Sequence, residues 1–150
     1  MSSITVLIVD DEDSVRSALR RTLRKTGYVL LFADCGRAAL ELLGKQPVDV
    51  VLSDHLMPGM TGLQLLREVR KLKPYAGRIM LTGQADLETA MAAIRQGDID
   101  RFLTKPWDDV ELRVALQMAA EKLHAESENR RLLEALQASD GAVAPSGGSL

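Results

Sequence analysis

Five polar residues each stand at the end of an apolar run, and their types suit a divalent cation and a phosphoryl group. Asp54 closes the run at 48–53 and precedes the turn-forming Met57, Pro58 and Gly59. Asp10 and Asp11 follow the run at 4–9, Thr82 follows 78–81, and Lys105 follows 101–104. If these runs are parallel strands of one sheet, their carboxyl ends meet at the edge where open α/β sheets bind ligands. A hard cation such as Mg2+ (or Mn2+) takes oxygen ligands and keeps several waters. Asp11, Asp54 and the backbone carbonyl of Leu56, chosen by its offset from Asp54, would supply protein oxygens. Asp10 is better placed to hold a coordinated water. Without a cation the three carboxylates repel one another. With one, Asp54 can act as a nucleophile and form an aspartyl-phosphate. The equatorial oxygens of the transferring group need fixed positive or polar partners: the cation, the Lys105 ammonium and the Thr82 hydroxyl. A carboxylate that is already ionised needs no general base.

Taken singly, each residue has a plainer reading. The acidic run at 10–13 caps a helix, Asp54 sits in a turn, Thr82 starts a loop, and Lys105 is a surface lysine. Their shared position at strand ends favours the site. His55 and His124 are read as surface residues or as supports one step removed from the site, not as ligands. Neither Gly-rich phosphate-loop pattern occurs, which counts against nucleotide binding.

The elements that must position these residues follow from periodicity. Strand-like runs begin near Ile4, Tyr28, Val48, Arg78 and Asp100. Between them, Val15, Ala18, Leu19, Thr22 and Leu23 form one helical stripe that stops at Gly27. A second helix lies within 36–44, carrying Ala39, Leu42 and Leu43. Thr61 with Gln64 makes a capping box for a third, with Leu63, Leu66 and Val69 inward. Asp86 is the expected cap of a fourth, with Leu87, Ala90, Met91 and Ile94 inward as far as Gly97. Asp108 with Glu111 opens a fifth. Strands alternating with helices imply βαβ units and a parallel sheet. The expected class is α/β, a flavodoxin-like doubly wound five-stranded sheet in order 2-1-3-4-5, with five helices and the last extended. Pattern alone does not separate that order from another doubly wound one.

The 150 residues suit one domain plus an appendage, with 46% hydrophobic and 27% charged residues. A net charge of −2 points to neither nucleic acid nor an anionic membrane. The basic stretch Arg16, Arg20, Arg21, Arg24 and Lys25 reads as a solvated helix face. A single cysteine, Cys35, rules out an internal disulfide and suits a reducing compartment. No apolar run approaches the roughly 18 residues of a membrane helix, and no signal-peptide core opens the chain, so a cytoplasmic location is expected. The fifth helical pattern has no break from Asp108 to Ala138, ~30 positions or ~45 Å as a helix. Its first half is expected to pack on the sheet through Val110, Leu112, Val114 and Leu116. Beyond that, Met118, Lys122, Ala125, Asn129, Leu132 and Leu136 have coiled-coil spacing, short and polar enough for only a weak homodimer. From Ser139 the composition turns to Gly, Ala, Pro and Ser. The expected division is a domain at 1–122, a helical extension at 123–138 and a flexible tail or linker at 139–150.

The motifs Val9-Asp10-Asp11-Glu12, Ser53 to Gly62 (Ser-Asp-His-Leu-Met-Pro-Gly-Met-Thr-Gly), Leu81-Thr82-Gly83 and Phe102-Leu103-Thr104-Lys105-Pro106 resemble the response-regulator receiver domain of two-component signalling. The resemblance covers residues 4–122. It implies that Asp54 is the phosphoacceptor, Asp10 and Asp11 the metal-binding acidic pair, Thr82 the switch hydroxyl and Lys105 the phosphate-binding lysine. It also implies that Phe102 is the aromatic that turns inward on activation and that the Lys105–Pro106 bond is cis. Its partners would be a sensor histidine kinase or phosphotransfer protein and a C-terminal effector. The chain itself would be no enzyme beyond its own phosphorylation and dephosphorylation. A finer resemblance, through Thr82-Gly83-Gln84-Ala85-Asp86-Leu87 to Gly97, Arg101 to Trp107 and the later Glu128-Asn129-Arg130-Arg131-Leu132, is to receivers that precede an HD-type (HD-GYP) cyclic-di-GMP phosphodiesterase. The alternatives are a receiver attached to another output, a receiver-like interaction module without phosphotransfer, and a flavodoxin-like cofactor binder. The last would show a Ser/Thr/Gly-rich loop after strand one, where this chain has Asp-Asp-Glu-Asp.

Overall fold

A computed structural model describes the backbone of residues 3–147 and the side chains of residues 3–139. Strands β1 (Thr5–Val9), β2 (Val29–Ala33), β3 (Val50–Asp54), β4 (Gly77–Thr82) and β5 (Arg101–Thr104) alternate with helices α1 (Asp13–Leu23), α2 (Gly36–Lys45), α3 (Gly62–Leu72), α4 (Leu87–Arg95) and α5 (Asp109–Gly147). The strands form one parallel sheet in the order β2-β1-β3-β4-β5. This is the flavodoxin-like order expected from the alternation.

Side chains alternate between the two faces of a strand, and here both faces are covered. On one, Val6, Ile8, Val50, Leu52, Ile79 and Leu81 meet Leu19 and Leu23 of α1 and Leu112, Ala115, Leu116 and Ala119 of α5. On the other, Leu7, Val9, Val51 and Met80 meet Ala39 and Leu43 of α2, Leu65, Leu66 and Val69 of α3, and Ala90 and Ala93 of α4. Every residue of β1, β3 and β4 is therefore buried, while the edge strands β2 and β5 are partly open. Burial on both faces is why the central strands read as continuous apolar runs.

Several helix starts match the sequence. Thr61 Oγ1 accepts from Gln64 N at 3.1 Å and Gln64 Oε1 accepts from Thr61 N at 2.9 Å, completing the capping box of α3. Asp108 Oδ1 accepts from Val110 N at 2.7 Å at the head of α5. Asp86, by contrast, makes no cap; a 3-10 turn (Gln84–Asp86) runs straight into α4. Inward faces also depart from the expected ones. Met91 and Ile94 of α4 and Val110 and Val114 of α5 are exposed, and Leu65 rather than Leu63 is fully buried in α3. In α4 alanines take the inward positions, so the larger apolar side chains face out.

Helix α5 continues past Ser139, where the composition suggests a tail. Residues 148–150 of that segment, and the side chains from 140 onward, lie outside the described residues. Beyond the sheet the helix still leans on the domain. Lys122 Nζ pairs with Asp100 at 3.2 Å, and the Arg130 guanidinium lies 4.0 Å from the centre of the Tyr75 ring. Met118, Leu132 and Leu136 stay exposed. Among the described residues, no helix is long and apolar enough to cross a membrane.

The amino-terminal edge of the sheet is closed by a buried arginine. Arg78 donates to the carbonyls of Asp98, Pro74, Ala76 and Gly97 over 3.0–3.3 Å. Asp98 in turn receives Arg67 at 3.0 Å and Arg70 at 3.1 Å from α3. Replacing Arg78 with Met would strand these carbonyls, and the expected loss is about 3 kcal/mol of unfolding free energy. A urea titration would read this as a lower midpoint at unchanged slope.

Candidate functional site

At the opposite edge the strand ends bring the sequence-selected residues together. Oxygens of Asp10, Asp11 and Asp54 lie within 4.8 Å of one another. Lys105, just past β5, places its Nζ 2.9 Å from Asp54 Oδ1 and 3.3 Å from Asp10 Oδ2. The Lys105 N–H also donates to the Thr82 carbonyl at 2.8 Å, tying the end of β5 to β4. The Lys105–Pro106 peptide bond is cis.

Asp10 is fully buried and Asp11 is exposed. Asp10 Oδ1 accepts from Glu12 N at 2.9 Å, so both of its oxygens already have protein donors. Burial raises the Asp10 pKa, and the Asp54 charge adds to this; the Glu12 N–H and the Lys105 ammonium only partly offset them. Burial alone would lower Lys105, but its hydrogen bond to Asp54 and the two carboxylate charges outweigh that, and its pKa is raised. Lys105 is therefore held as an ammonium.

The backbone around Asp54 is held from several sides. Ser53 Oγ donates to the Asp54 carbonyl at 2.8 Å, and Gly62 N donates to the His55 carbonyl at 2.8 Å. A Cβ at Gly62 would overlap the Asp54 carbonyl oxygen and crowd His55 Cα, so only glycine lets α3 begin this close to β3. Gly59, at φ +81, turns the intervening loop.

Thr82 is buried, and its hydroxyl donates to the Gly83 carbonyl at 3.3 Å rather than to Asp54. Phe102 is partly buried against the core face covered by α2, α3 and α4. Leu56 is exposed in the loop after Asp54. One contact was missed by sequence reasoning, and one open reading is narrowed by the structure. Arg16, read as part of a solvated face, donates to the Asp10 carbonyl at 2.6 Å; its place in the second turn of α1, facing the same edge, was the only available signal. His55, read as a surface or supporting residue, is buried, with its Nδ1 lacking a hydrogen-bond partner. His124 is exposed on α5.

The donor set is all carboxylate oxygen, two of the three groups are buried, and one ammonium cannot neutralise three negative charges. Asp10, Asp11 and Asp54 thus fit a hard divalent cation. Lys105 adds one fixed positive charge to this pocket.

The family model for the response regulator receiver domain matches residues 6–117. The chain is 38% identical over 128 residues to the hydrogenase transcriptional regulatory protein HoxA of Cupriavidus necator, covering 85% of this chain and 26% of HoxA. It is 39% identical over 134 residues to the regulatory protein AtoC of Escherichia coli, covering 89% of this chain and 29% of AtoC. It thus spans less than a third of the length of these curated relatives. Among solved structures, the signal receiver domain of an HD domain-containing protein from Pseudomonas fluorescens is 39% identical, with a TM-score of 0.80 over 85% of this chain and 94% of that one.

Calorimetric titration with Mg2+ or Mn2+ should show saturable binding at this edge. Asp11→Asn is expected to weaken it roughly tenfold, and more than Asp10→Asn, because Asp11 is the exposed carboxylate whose oxygens are free for the ion. Equal losses would show that the two residues do not have separate roles.

Proposed function

The chain belongs to the response-regulator receiver family, and from that premise we propose that Asp54 is the phosphoacceptor of its phosphorylation-dependent switch. The observation that carries this is the Lys105 ammonium 2.9 Å from Asp54 Oδ1, inside a cluster of three carboxylates. The donor would be a phosphohistidine on a sensor kinase or phosphotransfer protein. An Asp54 carboxylate oxygen forms a bond to phosphorus as the bond from phosphorus to the donor nitrogen breaks. Asp11, Asp54 and the Leu56 carbonyl would hold the cation, with Asp10 placed to hold a water on it, and when bound it would supply positive charge to the phosphoryl oxygens. Lys105 pairs with a second oxygen. Thr82 turns from Gly83 to a third, and the space it leaves admits Phe102. The bistable element is then the β4–α4–β5 side, biased by a local charge.

A small phosphodonor with Mg2+ should add one phosphoryl mass to the wild type and none to Asp54→Asn; labelling that persists in the variant would move the site elsewhere. Thr82→Ala should still be phosphorylated but show weak amide shifts at Phe102 and α4. A full wild-type response there would remove the hydroxyl from the switch.

Read as a domain at 1–122, the receiver hands its state to an effector through the α5 extension at 123–138 and the segment at 139–150. We take the effector to be an HD-type phosphodiesterase in a longer cytoplasmic parent. The likeness to the receiver of the Pseudomonas HD domain-containing protein supports this. The likeness to HoxA and AtoC, at matching identity, favours a transcriptional output as the second reading. Cyclic-di-GMP hydrolysis by the longer parent would decide between them. Exposed Met118, Leu132 and Leu136 support a weak homodimer along α5. Sedimentation of the chain and of a version ending at Ala120, each with and without a phosphoryl mimic, should show association only in the longer form. Identical behaviour would leave the extension a linker.

A further inference from the structure

Among the described residues, Nδ1 of His55 is the buried side-chain polar atom left without a hydrogen-bond partner. The side chain follows the phosphoacceptor directly and is 8% exposed. Its neighbour is set by the sheet. β3 and β4 pair Asp54 with Leu81 as the last pair of their ladder. His55 N donates to the Leu81 carbonyl at 3.0 Å, so the chain leaves β3 at His55 alongside the end of β4, where Thr82 is the next residue. Val51 and Met80 lie on the face covered by α2, α3 and α4. Alternation places Thr82 on that face, and carried one residue past the end of β3 it places His55 there too. Phe102, in register with Met80, packs there too.

The Thr82 hydroxyl has one proton and two lone pairs. In this structure the proton goes to the Gly83 carbonyl. Once the proton is given to a phosphoryl oxygen on Asp54, the lone pairs are free to accept. We propose that His55 is a positioning residue for Thr82. Its Nδ1–H donates to Thr82 Oγ1 when the hydroxyl turns toward the phosphoryl group. The chain then runs from imidazole N–H to threonine O–H to the phosphoryl oxygen. Each bond in such a chain polarises the next. In the resting state the buried Nδ1 has no partner, and with the ring proton on it that raises this state relative to the switched one.

The role rests on Asp54 and Thr82 acting as proposed above, and the experiment separates the two. The probe is beryllofluoride with Mg2+ on the whole chain. Should the wild type fail to bind it, the Asp54 reading falls first. With binding established, nitrogen-15 spectra of labelled histidine should show a slowly exchanging Nδ1 proton on His55 only in the bound state. His55→Leu should weaken beryllofluoride binding about tenfold. His55→Asn, whose amide nitrogen falls near the Nδ1 position, should recover to within about threefold of wild type, while His55→Gln should not. In a Thr82→Ala background, His55→Leu should cost nothing further. A wild-type affinity in His55→Leu, an Asn variant no better than Leu, additive losses in the pair, or no protected Nδ1 proton would each overturn the role. The proton signal decides the question even if His55→Leu does not fold.

Discussion

An ammonium wedged between two buried carboxylates sets the terms for everything at this edge of the sheet. With oxygens of Asp10 and Asp54 within 4.8 Å, two like charges repel by about 3–4 kcal/mol at an effective dielectric of 20. Lys105 answers both, at 3.3 and 2.9 Å. The three residues stand just past β1, at the end of β3 and just past β5, so the charge balance also holds the strand ends together. Asp11 remains as an extra negative charge at the surface, and the cluster keeps an affinity for a cation. A pocket assembled in this way has its charges fixed in advance, the kind of arrangement on which electrostatic stabilisation of phosphoryl transfer relies.

The two ends of the sheet do opposite work. At the amino-terminal end, Arg78 fills four backbone acceptors, and Asp98 draws two arginines of α3 onto the α4–β5 loop. That end is tied down. At the carboxyl end Thr82 makes one long bond to its neighbour, and His55 leaves a buried nitrogen unpaired. Polar groups with weak or missing partners have little to lose by rearranging, so a local change of charge can move them. Helix α5 spans both ends. Leu112 to Ala119 root it in the core, and Lys122 and Arg130 fasten it to Asp100 and Tyr75 past the sheet.

Relatives of matching identity include transcriptional regulators and the receiver of an HD domain-containing protein. What they share with this chain is the segment that builds the acidic edge. Function at this level lives in the site, and the identity of an output domain is not written into the residues that form the receiver.

Much of the architecture was legible in the sequence because it rests on local rules. Apolar runs, helical stripes, the Thr61–Gln64 capping box and the five strand-end residues are patterns within a few positions, and they placed the sheet and its reactive edge. What pattern left open was whatever depends on neighbours distant in sequence. The strand order was one such question, settled when β1 paired with both β2 and β3. Met91 and Ile94 look like the inward face of α4, yet Ala90 and Ala93 take the inward positions. Arg78 looks like a strand boundary, yet carbonyls brought in from residues 74, 76, 97 and 98 bury it. His55 reads as either a surface or a supporting histidine, and only the fold shows it buried beside the end of β4. Periodicity reports which side chains avoid water; only the packed fold decides which surface or polar atom meets each of them.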